Sequence, residues 1–212
     1  MNSKDGEKLN FDSSRELPVM ERFYTIQGEG FHQGKAAYFI RLAGCNVGCT
    51  WCDVKESWDA EEHEILSIGQ LKKDLKQSKT EIVVITGGEP AMYDLTALCA
   101  MVKSLGLKTH IETSGAYQLT GSWDWVCVSP KRFKKCLDEN LNIADELKVI
   151  IAHKNDFRFA LNHAKNTSAK CRVYLQPEWS IAEEMLPEII SFVKDNPKCQ
   201  ISLQVHKYMN IP

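Results

Sequence analysis

Short apolar runs rich in β-branched and aromatic residues alternate along the chain with stretches whose apolar positions follow a helical spacing. Such runs predict buried strands. Because strands that alternate with helices pair in parallel, we expect an α/β fold with a mainly parallel sheet. The predicted strands are Ala37–Leu42, Ile82–Thr86, Lys108–Glu112, Trp123–Val128, Leu147–Ile151, Arg172–Gln176 and Ile201–Val205, with a further extended piece at Val19–Ile26.

Helical spacing is clearest in two segments. The first has Ile68, Leu71 and Leu75 on one face behind Ser67, a residue type that caps helix N-termini. The second places five apolar residues on one face and ends at a glycine: Leu95, Leu98, Met101, Val102, Leu105 and Gly106. Two further helices are predicted at Asp156–Lys165 and Ala182–Lys194.

The link between the third and fourth predicted strands is short. Only about seven residues separate the turn at Gly115 from Trp123, whereas a crossover helix needs ten or more. A complete eight-fold (β/α) barrel is therefore not expected.

The polar composition of Met1–Leu17 predicts a flexible N-terminal tail, because these residues bury too little apolar surface to offset their ordering entropy. Residues 18–212 are long enough for one sizeable core, which predicts a single domain. The tail lacks the apolar segment of a signal peptide, and no run of 18 apolar residues occurs, so we expect a cytoplasmic protein without membrane association.

Charge and cysteine content narrow the function. The 26 basic and 28 acidic residues are well mixed, which leaves no basic footprint for nucleic acid and favours a small-molecule substrate. Eight cysteines in a chain without an export signal favour reduced thiols and a metal site over disulfides.

Unusual residues follow the predicted strands at the ends where loops leave the sheet. Ligands of parallel α/β sheets bind at the carboxyl ends of the strands. Six loops therefore converge on one face, with the sequences AGCNVGCTWCD, GGEP, TSG, SPK, QPEWS and HKYMNIP.

The first of these loops carries Cys45, Cys49 and Cys52, three thiols within eight residues. Iron–sulfur clusters are held by such thiolates. Three ligands on a four-iron cluster leave one iron open, as reactive metal sites require. The alternatives are a chance cluster in a cysteine-rich chain and a zinc site that recruits Asp53, His32 or His63.

The second loop, Gly87–Pro90, has two glycines that let its backbone approach a polar ligand closely. The alternative is a tight strand-to-helix turn in which Pro90 opens the next helix.

The cysteine spacing after one strand, followed by GGEP after the next, resembles the radical S-adenosylmethionine (SAM) superfamily. Over nearly all of Pro18–Pro212, the chain resembles one family of that superfamily, the 7-carboxy-7-deazaguanine synthases. The segments that carry this resemblance are FYTIQGEG (Phe23–Gly30), FIRLAGC (Phe39–Cys45), CTWCD (Cys49–Asp53), VITGGEP (Val84–Pro90), IETSG (Ile111–Gly115), VSPK (Val128–Lys131) and QVHKYMNIP (Gln204–Pro212).

The resemblance implies a reduced, partial (β/α) barrel that forms a homodimer. It also implies a [4Fe–4S] cluster that cleaves SAM after reduction by an electron donor such as flavodoxin or ferredoxin. The implied reaction is a ring contraction of 6-carboxy-5,6,7,8-tetrahydropterin to 7-carboxy-7-deazaguanine with release of ammonia, on the route to queuosine and related deazapurines.

Site residues follow from the same resemblance. The implied cluster ligands are Cys45, Cys49 and Cys52. The implied SAM contacts are Trp51, Asp53, Gly88, Glu89, Ser129, Pro130, Lys131 and Gln176. The implied substrate contacts are Ile26, Gln27, Gly28, Arg41 and Thr86, with the terminal carboxylate of Pro212 as a further hypothesis.

The chemistry of two substrate residues agrees with these roles. A guanidinium such as that of Arg41 pairs with a carboxylate, and the Gln27 amide both donates and accepts hydrogen bonds. Arg41 points away from the face of Ile40 and Leu42, towards a barrel interior, although a surface cation at a strand end is the alternative. Glu112 either binds the pterin edge or a SAM hydroxyl, or is an ordinary strand-end carboxylate.

Val54 departs from the family pattern. Many relatives have threonine after the Cys-Asp pair, where it helps to bind a Mg²⁺ that bridges to substrate. Valine matches threonine in shape but has no oxygen ligand. Either Mg²⁺ binds through Asp53, the substrate and water, or the enzyme depends on Mg²⁺ less than these relatives do. We predict a weaker dependence of the activity on Mg²⁺.

Two rival functions remain at this stage. A glycyl-radical activating enzyme shares the cysteine spacing, but the QGEG and SPK segments argue against it. A zinc-dependent binding module would need a fourth ligand and would form no 5′-deoxyadenosine.

Overall fold

The computed structural model describes residues 12–13 and 15–212. Within them, nine strands form one sheet: β1 Glu16–Ile26, β2 Ala36–Leu42, β3 Glu64–Ser67, β4 Ile82–Gly87, β5 Lys108–Thr113, β6 Trp125–Val128, β7 Glu146–Ile151, β8 Arg172–Pro177 and β9 Cys199–Ile201. Their spatial order is β3-β1-β2-β4-β5-β6-β7-β8-β9. Strands β2 and β4 to β9 run parallel, and β1 lies antiparallel to β2 and β3. The sheet stays open between β3 and β9, which makes it a partial barrel.

The described helices are α1 Ile68–Gln77, α2 Thr96–Ser104, α3 Asp138–Ile143, α4 Asn155–Ala164, α5 Ala182–Asp195 and α6 Val205–Met209. Short 3₁₀ turns lie at Lys55–Trp58, Ala60–Glu62, Pro90–Met92 and Trp179–Ile181. Helix α1 begins with a capping box: the Ser67 hydroxyl accepts a hydrogen bond from the Gln70 amide (3.2 Å), and the Gln70 side chain accepts one from the Ser67 amide (2.9 Å). The cap predicted at Ser67 is confirmed.

Successive side chains along each strand point alternately into the core and into a cavity on the other face of the sheet. Ile40, Ile85, Ile111, Leu147 and Leu175 are fully buried in the core shared with the helices. Their neighbours along each strand point to the opposite, concave face. These neighbours are Phe39, Arg41, Thr86, Glu112, Lys148 and Gln176.

The predicted absence of a crossover helix between β5 and β6 is confirmed in the described structure. β5 and β6 are parallel neighbours, and residues 114–124 between them contain no helix. Because the two strands are parallel, the link returns from the carboxyl end of β5 to the amino end of β6, and it does so as irregular chain.

The last predicted strand, Ile201–Val205, is wrong beyond Ile201. The Ser202 amide makes a final ladder bond to the Leu175 carbonyl (3.0 Å), and its hydroxyl donates to Gln176 Oε1 (2.7 Å). The chain then turns across the barrel mouth, where the Val205 amide donates to the Gly28 carbonyl (3.0 Å) and α6 begins. Hydrogen bonds to neighbouring segments therefore override the apolar pattern.

Smaller differences lie at other boundaries. β6 begins at Trp125 rather than Trp123, and β3, α3 and α6 have no counterpart in the predicted elements. β1 begins at Glu16 and Leu17 is fully buried, so these two residues belong to the sheet and not to the predicted tail. Most of that tail prediction concerns residues 1–11 and 14, which lie outside the described residues. In the described chain, no helix combines the length and apolar character needed to cross a bilayer.

Candidate functional site

A cavity of about 460 Å³ opens at the carboxyl ends of the parallel strands. It brings together all but one of the sequence-predicted site residues: Ile26, Gln27, Gly28, Arg41, Cys45, Cys49, Trp51, Cys52, Asp53, Thr86, Gly88, Glu89, Ser129, Lys131, Gln176 and Pro212. Val54 also lines this cavity. Pro130 does not line the cavity. It is buried, whereas its neighbours Ser129 and Lys131 face the cavity.

The three thiols lie in a shielded part of this cavity. Cys49 is buried, and Cys45 and Cys52 are half-buried. Burial raises the pKa of the Cys49 thiol to about 11, against the nearby Lys131 ammonium, which lowers it. Burial likewise raises the pKa of Cys45, and the neighbouring Cys52 adds to the increase. Raised pKa values favour the neutral thiols, so binding of a metal centre here would release their protons.

The GGEP turn packs directly on the cysteine loop. The Gly88 amide donates to the Leu42 carbonyl and the Glu89 amide to the Gly44 carbonyl, both at 2.9 Å. A Cβ atom on Gly88 would lie 2.4 Å from the Gly44 carbonyl oxygen, and one on Gly87 would lie 2.1 Å from the Leu42 carbonyl oxygen. Both glycines are therefore required by close backbone contact.

Glu89 binds protein groups with both carboxylate oxygens. It is 1% exposed and accepts hydrogen bonds from the Thr113 hydroxyl (2.5 Å), the Ser114 amide (2.8 Å), the Ser114 hydroxyl and the Ala91 amide (3.0 Å). It therefore fastens the GGEP turn to the TSG loop and holds Gly88 at the cavity.

The residues considered as a fourth zinc ligand point elsewhere. His63 Nε2 lies 2.7 Å from the Glu56 carbonyl, His32 packs edge-on against Trp125, and Asp53 pairs with Lys207. Within residues 12–13 and 15–212, no three His, Cys, Asp or Glu side chains are arranged to hold a single metal ion. Three cysteine thiols are the donor set of a four-iron cluster that keeps one iron open.

A buried lysine that the sequence reading missed organises the cavity floor. Lys148 forms ion pairs with Glu29 and, at 3.1 Å, with Glu112. Burial alone lowers the pKa of Lys148, but Glu112 and Glu29 outweigh it and hold the pKa well above its usual value. Gln27 Nε2 donates to the other Glu112 oxygen (2.9 Å). The sequence did carry a signal for Lys148. It is the single lysine inside the apolar run Leu147–Ile151, and a buried lysine almost always has a charged partner.

The C-terminal segment closes one side of the cavity. Lys207 Nζ lies 3.0 Å and Gln204 Nε2 3.3 Å from Asp53 Oδ2. Burial raises the pKa of Asp53, but Lys207 more than compensates, so the pKa is lowered. The Thr25 hydroxyl donates to the Pro212 carbonyl (3.4 Å), which holds the terminal residue at the cavity wall.

Arg41 lies on the cavity face, as its position between Ile40 and Leu42 predicts. Its Nε atom pairs with Glu21 Oε1 at 2.5 Å, across the register of β1 and β2. Glu21 was not predicted as a site residue. The pair holds one edge of the guanidinium, and the side chain remains 21% exposed towards the cavity.

Comparison with known proteins agrees with this geometry. Residues 39–126 match the Radical SAM superfamily model. The chain is 53% identical to the 7-carboxy-7-deazaguanine synthase of Flavobacterium psychrophilum, over 92% of this chain and 93% of that protein. It is 43% identical to the protein of that name from Synechocystis sp. (92% and 93%) and 34% identical to the one from Escherichia coli K12 (92% and 99%).

One solved structure is also similar. The crystal structure of QueE from Escherichia coli has a TM-score of 0.82 and 29% sequence identity, and the match covers 90% of this chain and 95% of that chain.

Proposed function

The chain belongs to the 7-carboxy-7-deazaguanine synthase family of the radical SAM superfamily, and from this we propose that it converts 6-carboxy-5,6,7,8-tetrahydropterin into 7-carboxy-7-deazaguanine and ammonia. This step serves queuosine and related 7-deazapurine biosynthesis. The observation that carries the proposal is the convergence of the cysteine loop, the GGEP turn and the QGEG segment on one cavity of about 460 Å³.

The donor set fits a [4Fe–4S] cluster and SAM. Three half-buried or buried thiols line one end of the cavity, and the contact between Gly44 and Gly88 leaves no room for a side chain beside them. Cys45, Cys49 and Cys52 would hold the cluster, and the residues proposed to face SAM are Trp51, Asp53, Gly88, Ser129, Lys131 and Gln176. When bound, the reduced cluster and SAM supply a carbon-centred radical that abstracts hydrogen. Glu89 and Pro130 remain proposed SAM-side residues: Glu89 lines the cavity with its carboxylate bonded to the TSG loop, and Pro130 is buried between Ser129 and Lys131.

At the other end of the cavity, the polar residues suit a carboxylated pterin. The Glu112 carboxylate accepts hydrogen bonds from the donor edge of the pyrimidine ring, and its ion pair with Lys148 holds the carboxylate in place. The Gln27 amide, bonded to Glu112, fixes its orientation. Arg41 provides the cation for the pterin carboxylate, while Ile26 and Thr86 lie beside the ring.

The residues around Asp53 do not fit a tight Mg²⁺ site. Val54 contributes no oxygen, and the Asp53 carboxylate is paired with Lys207 and Gln204. A hard cation prefers oxygen ligands and would have to displace an ammonium group. This supports the proposal that the enzyme depends less on Mg²⁺ than relatives with threonine at this position.

The proposal extends to the setting of the enzyme. We infer a cytoplasmic homodimer that receives electrons from a flavodoxin or ferredoxin. Its small-molecule substrate distinguishes it from glycyl-radical activating enzymes, which act on a protein.

Anaerobic turnover tests the function. Reconstituted protein is incubated with SAM, dithionite and the carboxylated tetrahydropterin, and 7-carboxy-7-deazaguanine is detected by mass. The Cys49→Ser variant serves as the control and should form neither this product nor 5′-deoxyadenosine. Product-free incubations of fully loaded wild-type protein would refute the proposal, and a colourless, zinc-containing protein would favour the binding module instead.

A further inference from the structure

The segment Lys131–Lys135, with the sequence KRFKK, concentrates positive charge beside the candidate active site. Four of its five residues are basic and none is acidic, in a chain of net charge −2 whose charges are otherwise mixed. The segment begins with the lysine of the SPK motif, just beyond the carboxyl end of β6.

Side-chain contacts join this segment to the cysteine loop. Lys134 Nζ donates to Asn46 Oδ1 (2.8 Å) and to the Tyr117 hydroxyl, which itself donates to Asn46 Oδ1. Asn46 is the residue after Cys45. The Phe133 ring lies 6.4 Å from the ring of Trp51, which precedes Cys52. The segment therefore contacts Asn46 and Trp51, which are the sequence neighbours of the candidate cluster ligands Cys45 and Cys52.

The cations of this segment differ in what they face. Lys131 turns inward, where its Nζ donates to the Ser129 carbonyl (2.8 Å), and Arg132 pairs with Asp156 (2.7 Å). Among the residues that the structure describes, Lys134 contacts only neutral groups through the hydrogen bonds above, and Lys135 is exposed. The positive charge of these two lysines is thus available to a partner.

An exposed aromatic side chain lies among these charges. Phe133 is 45% exposed. We define the cationic patch as Asn46, Tyr117, Phe133, Lys134 and Lys135. It combines an aromatic residue with uncompensated cations, and both types are common in the contact centres of protein interfaces.

We propose that the cationic patch is the docking surface for an acidic one-electron carrier of the flavodoxin or ferredoxin class. This inference rests on the proposed function, because a radical SAM site must receive one electron from outside for each reductive cleavage. The carrier loses that electron and the cluster gains it. Electron transfer slows steeply with distance, so the surface nearest the cysteine loop is the favoured place for the carrier to dock.

The size and chemistry of the patch suit such a partner. Interfaces of electron-transfer proteins are small and short-lived, so they need no extended apolar face. Opposite charges instead speed the encounter and fix its orientation, and salt weakens both effects. The cationic patch offers this chemistry with two lysines beside one exposed aromatic residue.

The test compares two double variants. In the first, Lys134→Glu and Lys135→Glu reverse the charge of the patch. In the matched control, Lys79→Glu and Lys198→Glu make the same charge change at two exposed lysines that precede β4 and β9, at the opposite end of the sheet. A single Lys135→Glu variant, which leaves the Asn46 contact intact, separates docking from any effect on the cysteine loop.

Each protein is assayed with a reduced flavodoxin at varied concentration and, separately, with dithionite. The rate of cluster reduction is also followed by stopped-flow absorbance, which requires no knowledge of the product. We expect the apparent KM for flavodoxin to rise about tenfold in the patch double variant and by a smaller factor in Lys135→Glu. Added salt should reduce the difference, the control variant should match the wild type, and dithionite-driven rates should be equal in all proteins.

Equal flavodoxin KM values and cluster-reduction rates in patch and control variants would overturn this inference while leaving the proposed function intact. So would an equal loss with flavodoxin and dithionite, since that would indicate damage to the cysteine loop. If wild-type protein reduced by dithionite forms no deazaguanine product, the proposed function fails instead, and the stopped-flow comparison still decides where the carrier docks.

Discussion

Lys148 Nζ lies 3.1 Å from the carboxylate of Glu112 on the cavity floor, and it forms a second ion pair with the carboxylate of Glu29. The lysine side chain is only 6% exposed. One buried cation therefore lies between two carboxylates on the cavity floor, and each ion pair offsets part of the cost of burying its partners.

Replacing this cation should cost both stability and substrate affinity. We expect Lys148→Met to lower the free energy of unfolding by about 3 kcal/mol, because it leaves two half-buried carboxylates without their partner. The KM for the pterin should also rise. Urea unfolding measures the first effect, and adding Glu112→Gln to Lys148→Met should restore part of the stability. If the two substitutions are simply additive, the ion pair does not contribute as described.

A side chain at Gly88 should displace the cysteine loop. In Gly88→Ala the new Cβ would meet the Gly44 carbonyl oxygen at 2.4 Å, an overpacking that typically costs about 1–3 kcal/mol. We expect reconstituted Gly88→Ala to hold less iron per chain than wild type. Gly69→Ala is the matched control, since a Cβ in α1 would meet only the Ser67 hydroxyl at 3.8 Å. Unchanged iron content in both variants would contradict the account of the GGEP turn.

Two histidines behind the cavity floor should make the fold sensitive to acid. Burial lowers the pKa of His32 to about 4 and that of His110 to about 3, with Lys35 and Lys108 adding to the effect at both. At alkaline pH neither the folded nor the unfolded chain protonates them. As pH falls below about 6.5, the unfolded chain binds protons that the folded chain does not, so stability declines.

His110→Phe removes one of these groups. The decline in the free energy of unfolding between pH 7 and pH 5 should therefore be shallower than in wild type. Urea unfolding at both pH values measures it, with His153→Gln, at an exposed position, as the control. An identical decline in wild type and His110→Phe would show that the buried ring does not resist protonation.

An oxygen ligand at residue 54 should change the response to Mg²⁺. We expect Val54→Thr to be stimulated by Mg²⁺ more than wild type, because it restores a hydroxyl beside Asp53. Val54→Ala controls for the change in shape. Mn²⁺ binding followed by electron paramagnetic resonance provides a readout that does not depend on turnover. A steep loss of wild-type rate when Mg²⁺ is removed would contradict the prediction.

The sequence predicted the parts of the site that depend on neighbours along the chain. The cysteine spacing, the paired glycines and the inward direction of Arg41 follow from local geometry and strand period. Ion pairs such as Lys207 with Asp53, 154 residues apart, depend on which loops meet at the barrel mouth. No local pattern identifies the partners in such a meeting, so Glu21 and the pairing of Glu29 with Lys148 were missed, although the lone lysine in an apolar run was a signal for Lys148 itself.

The same distinction explains the errors in the fold. Helix α1, with its complete capping box, was predicted correctly because its signals lie within four residues of each other. The region after Ile201 looked like a strand but turns towards Gly28, because tertiary hydrogen bonds override weak local preference there.

The most direct test of the central claim is a nitrogen balance. A ring contraction releases one ammonia for every molecule of 7-carboxy-7-deazaguanine formed. Anaerobic turnover of the reconstituted protein with SAM, dithionite and the carboxylated tetrahydropterin should therefore yield the two products in equal amounts. The account is contradicted if the loaded enzyme cleaves SAM to 5′-deoxyadenosine, yet no deazaguanine acid and no matching ammonia accumulate.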